Sequence, residues 1–408
     1  MVNLSDIQSA LARVRKSIYV SPCTRSETFS ELTGNSIYLK LENRQRTGAY
    51  KERGALNKLL SLTAEERSQA QGVIAASAGN HAQAVAYHAS NLGIRAKIVM
   101  PLATPLIKVS ATRGYGGDVV LHGANYDEAY EEALRLSARH HLTFVHAFND
   151  DVVIAGQGTL GLELLEQHPD LEAVVVPIGG GGLIGGMGCA LKETNPRIQV
   201  IGVQPARLPS VKVALSEGKP VTLPSAVTIA DGIAVRRAGE RTLPLIQKYV
   251  DDVVTVEEEE IANAVLLLLE REKMLAEGAG AAALAALVNR RSSLISEKSG
   301  KKVIVVVSGG NIDVTLLARI IERGLVKDGR LVRLRVHLPD YPGALHKVTG
   351  ILAQHRANIV ETSYDRAYHN VNLGDTAIDI TMETRGPDHI AELISALGAH
   401  GYTHERIL

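Results

Sequence analysis

Four consecutive glycines, Gly179, Gly180, Gly181 and Gly182, lie between the apolar run Ala173-Val-Val-Val-Pro177 and a helical pattern. A glycine turn at such a junction can aim several backbone N–H groups at one anion in front of a helix N-terminus, so the ligand predicted for this segment is a phosphate. A second cluster, Arg46-Thr-Gly-Ala-Tyr-Lys51-Glu-Arg-Gly-Ala, places a lysine at the start of a predicted helix. The positive end of the helix dipole together with desolvation lowers a lysine's pKa and frees its amine for Schiff-base chemistry, which makes Lys51 the candidate nucleophile. Two further polar turns, Ser77-Ala-Gly-Asn-His81 after Val73-Ile-Ala-Ala76 and Ser308-Gly-Gly-Asn311 after Val303-Ile-Val-Val-Val307, fall where strand C-termini feed helices, the edge at which α/β sheets bind ligands. A phosphate cup, a Schiff-base lysine and two polar strand-end turns together point to pyridoxal 5'-phosphate. Residues 180–185 also satisfy GxGxxG, but the next strand ends Val203-Gln204 with no acid to hold a ribose hydroxyl, so an NAD-type oxidoreductase is the weaker reading.

The elements that must position these residues follow from periodicity. Short Val- and Ile-rich runs recur at 37–41, 73–76, 97–100, 118–121, 173–177, 198–203 and 303–307, separated by helical patterns. Runs apolar on both faces predict parallel sheets covered by helices on both sides, an α/β architecture. Thr63-Ala-Glu-Glu reads as a helix start, and Thr255-Val-Glu-Glu as a capping box opening a helix through Leu275 that Gly278 closes. Near residue 324 the alternation changes character, giving way to a period-2 strand, a helix from about Pro342, two strands over 358–368 and 374–384, a helix from about Pro387 and a tail strand, with the boundary near 328. That βαββαβ order predicts a ferredoxin-like domain over 328–408, behind a catalytic domain over 1–327 whose smaller lobe spans about 46–150.

At roughly 150 residues per domain, 408 residues make two or three domains. Lys+Arg and Asp+Glu both number 44, so no net charge draws the chain to nucleic acid or anionic lipid, and small molecules are the expected partners. Two cysteines, Cys23 and Cys189, fit a reducing compartment, and no segment approaches the roughly 18 apolar residues that span a bilayer. A cytoplasmic, non-membrane protein is expected.

The quoted segments, with Ala155-Gly-Gln-Gly-Thr159, Ala230-Asp-Gly232, Glu277-Gly-Ala-Gly280 and Ser308 to Asp313, resemble in order the threonine dehydratases (threonine ammonia-lyases) among the fold-type II pyridoxal phosphate enzymes. Residues from 328 onward resemble an ACT domain, chiefly through Asp340-Tyr-Pro-Gly343. The resemblance implies that Lys51 holds the cofactor covalently and that Asn80 hydrogen-bonds its 3-hydroxyl. It places Gly179 to Gly182 on the phosphate, Ser308 on the pyridine nitrogen, and Ser77, Ala78, Gly79, Asn80 and His81 on the substrate carboxylate. It implies deamination of L-threonine to 2-oxobutanoate and ammonium, with L-serine to pyruvate as a secondary activity. It further implies a homo-oligomer, dimer or tetramer, in which isoleucine or valine acts at Asp340, Pro342 and Gly343.

Three positions depart from that pattern. Serine racemases carry a serine where this chain has Ala78, so racemisation is the lesser alternative. The related divalent-cation site expects an acid where this chain has Gln204, so no metal is predicted. Glu52 stands where the family is expected to be apolar, and a surface placement is the simplest expectation. His81 is expected to pack rather than act as a base, Cys189 to fill the core, and Glu257 to Glu260 to form a solvated first helical turn. A non-catalytic amino-acid sensor remains as a reading from a different class.

Overall fold

The computed structural model describes residues 1–63, 71–296, 300–365 and 374–407. The remainder of the Thr63-Ala-Glu-Glu helix start and residues 366–368 of the 358–368 strand pattern lie outside them. In chain order the strands are β1 (Cys23–Arg25), β2 (Ser36–Leu41), β3 (Val73–Ala76), β4 (Ala96–Met100), β5 (Asp118–Leu121), β6 (Thr143–Phe144) and β7 (Ala173–Pro177). They continue as β8 (Gln199–Pro205), β9 (Asp252–Val256), β10 (Lys302–Val307), β11 (Leu331–Pro339), β12 (Asn358–Asp365), β13 (Asp375–Glu383) and β14 (Thr403–Ile407). Two units divide the chain, Met1–Asp313 and Val314–Leu408. The helix Val314–Lys327 thus groups with the second unit, whereas a boundary near 328 predicts it in the first.

The first unit holds two sheets. One runs β1-β2-β10-β7-β8-β9 and is parallel except for the β1–β2 pair. The other runs β5-β4-β3-β6 and is wholly parallel. The β-branched runs are buried on both faces as expected: Val303 to Val307 and Ala173 to Val176 are inaccessible. Their side chains pack with Ile184, Met187 and Leu191 of the helix Gly182–Thr194 into the larger core. Parallel pairing places the C-terminal ends of β3, β7 and β10, with the polar turns that follow them, at the ligand-binding edge of their sheets.

One boundary differs from expectation. Thr255 is a strand residue, paired with Gln204 across β8 and β9, because Val253, Val254 and Val256 complete a buried edge. The capping box sits two residues later, with Glu257 as N-cap and its N–H donating to Glu260 Oε2 at 2.8 Å. The helix Glu258–Glu272 ends at left-handed Lys273, and Gly278 opens the next helix instead of closing this one.

The second unit is a four-stranded antiparallel sheet, β12-β13-β11-β14, with helices Ala344–Gln354 and Pro387–Ala399. Alternate β11 residues, Val332, Leu334, Val336 and Leu338, are buried with Val348, Leu352, Leu393 and Leu397, giving the predicted ferredoxin-like order its own core.

Candidate active site

Lys51 opens the helix Lys51–Ser61, and its Nζ donates to the Ala147 carbonyl at 3.1 Å. The helix is anchored two residues on by buried Arg53, which makes a bidentate pair with Glu42 at 2.8 Å and reaches Glu163 at 2.9 Å. Burial pushes the Glu42 carboxyl up, but Arg53 more than offsets this and holds it below the usual value. The loop before the lysine is laced to the turn after β10: Tyr50 N–H donates to the Ser308 carbonyl at 3.1 Å and Gly310 N–H to the Gly48 carbonyl at 2.9 Å. Ser308 is thereby brought beside the lysine loop; its own hydroxyl, buried, makes only a long 3.4 Å bond to the Ala279 carbonyl.

The glycine segment lies next to the same place. Phe148, directly after the carbonyl that Lys51 engages, packs so closely on Gly180 that a Cβ there would come within 2.3 Å of its ring. The helix Gly182–Thr194 begins with no side-chain cap, leaving its first amides to an outside acceptor. The turn Ser77 to Asn80 follows β3 and is half-buried; Gly79 N–H donates to Ser77 Oγ at 3.2 Å. His81 is buried and turns its ring away, Nε2–H donating to the Val145 carbonyl at 2.9 Å, so only its backbone belongs to the turn. Burial, helped by the Lys51 charge, pushes His81 down to about 3, and its buried Nδ1 has no partner. His146 is driven down to about 4 by the same causes.

Glu277, quoted above in a motif but given no role, is the residue that sequence reasoning missed. Its Oε1 accepts from Asn80 Nδ2 at 2.6 Å, while Asn80 Oδ1 accepts from Asn311 Nδ2 at 2.8 Å. Burial and the neighbouring Asp231 raise its carboxyl to about 7 despite the Asn80 bond. Burial lowers the Lys51 ammonium to about 8, with Glu277 pulling the other way. The only signal available was an acid immediately before the glycine-rich helix start Gly278-Ala-Gly280.

The surface placement expected for Glu52 is wrong: it is fully buried, because the Thr47 N–H and His88 supply two donors to its carboxylate. Gln204 is also buried and caps a helix, its Oε1 accepting from Val211 and Lys212 N–H at 2.9 and 3.0 Å. Cys189 is a core residue as expected. Glu258 and Glu260, in the turn expected to be solvated, are half-buried and engage Ile229 N–H and Arg291. Asp340, Pro342 and Gly343 form an exposed turn in the second unit. A cleft of about 620 Å³ next to that turn is lined by His337, Tyr341, His346, Lys347, His400 and Tyr402 among others. Among the described residues no three metal-ligating side chains gather, and no helix is long and apolar enough to cross a membrane.

A half-buried amine of lowered pKa beside a glycine cradle that a Cβ would fill, with a neutral hydroxyl at Ser308 and an uncapped helix start, could hold a phosphorylated carbonyl cofactor. Residues 14–309 match the family described as pyridoxal-phosphate dependent enzyme, and the chain belongs to it. Within that family it is 48% identical to an L-threonine ammonia-lyase of Thermotoga maritima over 98% of each chain, and 50% identical to one of Geobacter sulfurreducens over 97% of each. Among solved structures it is similar to the processed form of threonine deaminase isoform 2 from Solanum lycopersicum, with a TM-score of 0.74 and 39% identity over 78% of this chain and 86% of that one.

Proposed function

We propose that this chain is a pyridoxal phosphate-dependent lyase that deaminates L-threonine to 2-oxobutanoate and ammonium, with L-serine to pyruvate as a second activity. The observation that carries the chemistry is the seat of Lys51, half-buried, lowered to about 8 and ending at the Ala147-Phe148 segment that also walls the glycine cradle. The near full-length likeness to two L-threonine ammonia-lyases supports threonine as the substrate.

Pyridoxal phosphate, when bound, supplies an electron sink for the pair left at Cα when its proton is removed. Gly179 to Gly182 and the uncapped amides behind them would hold its phosphate, and Lys51 its carbonyl carbon. An amine near 8 is protonated and neutral in comparable amounts at slightly alkaline pH, which suits Lys51 Nζ to accept the Cα proton. Asn80, fixed by Glu277 and Asn311 on either side, would face the cofactor's 3-hydroxyl, and Ser308 its ring nitrogen. A hydroxyl there carries no negative charge, so the sink stays weak and loss of the β-hydroxyl is the favoured exit. The backbone of Ser77 to His81 would bind the substrate carboxylate.

The reading extends to the second unit as a site for a branched-chain amino acid, isoleucine first and valine second, at Asp340, Pro342 and Gly343; the cleft beside that turn supports it. We place the enzyme in the cytoplasm as a homo-oligomer, the former supported by two free thiols. The test is a keto-acid assay over threonine, serine and other hydroxyamino acids with wild type and Lys51→Ala. Threonine turnover by wild type alone is expected; comparable turnover by both would overturn the role of Lys51, and none by wild type would overturn the activity.

A further inference from the structure

Glu52 directly follows Lys51 and is fully buried, with both carboxylate oxygens engaged. One accepts from the Thr47 backbone N–H, and the other from His88 Nε2–H at 3.1 Å. His88 is itself buried, on the helix Asn80–Asn91, about two turns beyond Asn80. Thr47 in turn offers its carbonyl to Asn311 Nδ2 at 2.7 Å, the same amide that reaches Asn80 Oδ1 at 2.8 Å.

These bonds close a circuit. It runs from the first turn of the lysine helix through Glu52 to the lysine loop, from Thr47 through Asn311 to Asn80, down the Asn80 helix to His88, and back to Glu52. The loop's outer side is held by Arg46 on Tyr87 Oη at 3.1 Å and by Tyr115 Oη on the Arg46 carbonyl at 3.3 Å. Both groups proposed to flank the cofactor, Lys51 and Asn80, are therefore members of one ring of contacts, and Glu52 is where it closes. An apolar side chain at 52 would leave the buried Thr47 N–H and His88 without their acceptor, and the loop and helix free to separate.

We propose that Glu52 is a positioning residue for Lys51 and Asn80: by bridging the Thr47 amide to His88 it sets the lysine helix against the Asn80 helix, and so sets where Lys51 Nζ stands relative to the Asn80 amide. This rests on the reading of Lys51 as the cofactor-bearing lysine.

The test compares cofactor-loaded wild type, Glu52→Gln, Glu52→Leu and His88→Leu. Displacing a reacting group by about 1 Å costs on the order of 100-fold, so Glu52→Leu is expected to lose about 10- to 100-fold in kcat with the threonine KM within about 3-fold. The visible circular dichroism per bound cofactor should fall at least about 2-fold, and amide exchange in 46–50 should quicken about 10-fold or more. Glu52→Gln keeps an acceptor for Thr47 N–H and a group for His88, and should restore kcat to within about 3-fold of wild type. A folded, loaded Glu52→Leu with kcat and visible dichroism unchanged would overturn the proposal, leaving a pair that serves stability alone, and so would equal losses in the Gln and Leu variants. Should Glu52→Leu not fold, His88→Leu decides by the same two readouts. Absence of threonine turnover in wild type would instead overturn the functional reading, while exchange in 46–50 would still report whether Glu52 holds the loop.

Discussion

Replacing Glu277 by glutamine should make Lys51 a weaker base. The Lys51 amine lies at about 8 against an ordinary 10.5, a drop worth roughly 3 kcal/mol of disfavoured charge, with burial as its main cause and the Glu277 carboxylate opposing it. Glu277 lies at about 7, so at the lysine midpoint it is mostly ionised and its anion supports the ammonium. With an effective dielectric near 20, opposite unit charges attract by about 4 kcal/mol at 4 Å and by less as they separate, and solvent and neighbours screen part of that. Glutamine keeps the Asn80 contact through its amide oxygen but removes that charge. The Lys51 midpoint is therefore expected to fall by roughly 1–2 pH units, to about 6–7. Competitive acetylation of the cofactor-free protein from pH 5 to 10, read on the Lys51 peptide by mass spectrometry, measures it directly. An unchanged midpoint would show that the Glu277 charge does not reach Lys51, and a raised one would refute the sign of the argument.

Gly180→Ala puts a methyl within 2.3 Å of the Phe148 ring, and should cost roughly 1–3 kcal/mol in thermal denaturation and weaken cofactor retention about 10-fold or more by fluorescence titration. Folded His81 titrates at about 3 and the unfolded side chain near 6.5, so below 6.5 the unfolded state binds more protons and stability falls with pH; at pH 5 the loss relative to pH 7 is about 2 kcal/mol, and urea midpoints for wild type against His81→Asn should show a flatter dependence in the variant. Gly343 has φ +94°, where a leucine is strained, so Gly343→Leu should abolish any isoleucine response seen by calorimetry while kcat without effector stays within about 2-fold. Ala78→Ser should yield measurable serine epimerisation by chiral chromatography; none at all would show that position 78 does not decide between elimination and racemisation.

What was legible in the amino-acid order was local in origin. The run Val303 to Val307 is strand because β-branched residues apolar on both faces fit a covered parallel sheet, and Gly179 to Gly182 mark a turn into a helix that presents only backbone because four Cβ atoms are missing. Lys51 stood out as a candidate because a lysine at a predicted helix start occurs together with glycine turns at strand ends. Short β1 and β6 were missed, their two or three residues being too few for periodicity to register, and β9 was missed because its end, Thr255-Val256, reads as a helix start. Tertiary structure alone decided the state of the acids. Glu52 could be a surface residue or a buried acceptor, and the choice depends on His88, 36 positions away, supplying the donor that makes burial affordable. Glu277 becomes a group of raised pKa only because the fold buries it near Asp231, an effect that outweighs the opposing hydrogen bond from Asn80, 197 positions distant. Gln204 likewise becomes a helix cap only once β8 delivers it to the amides of Val211 and Lys212. Propensity and glycine geometry act over a few residues and are written in the chain; desolvation and charge coupling depend on which distant groups share a volume, and that is settled only when the chain is folded.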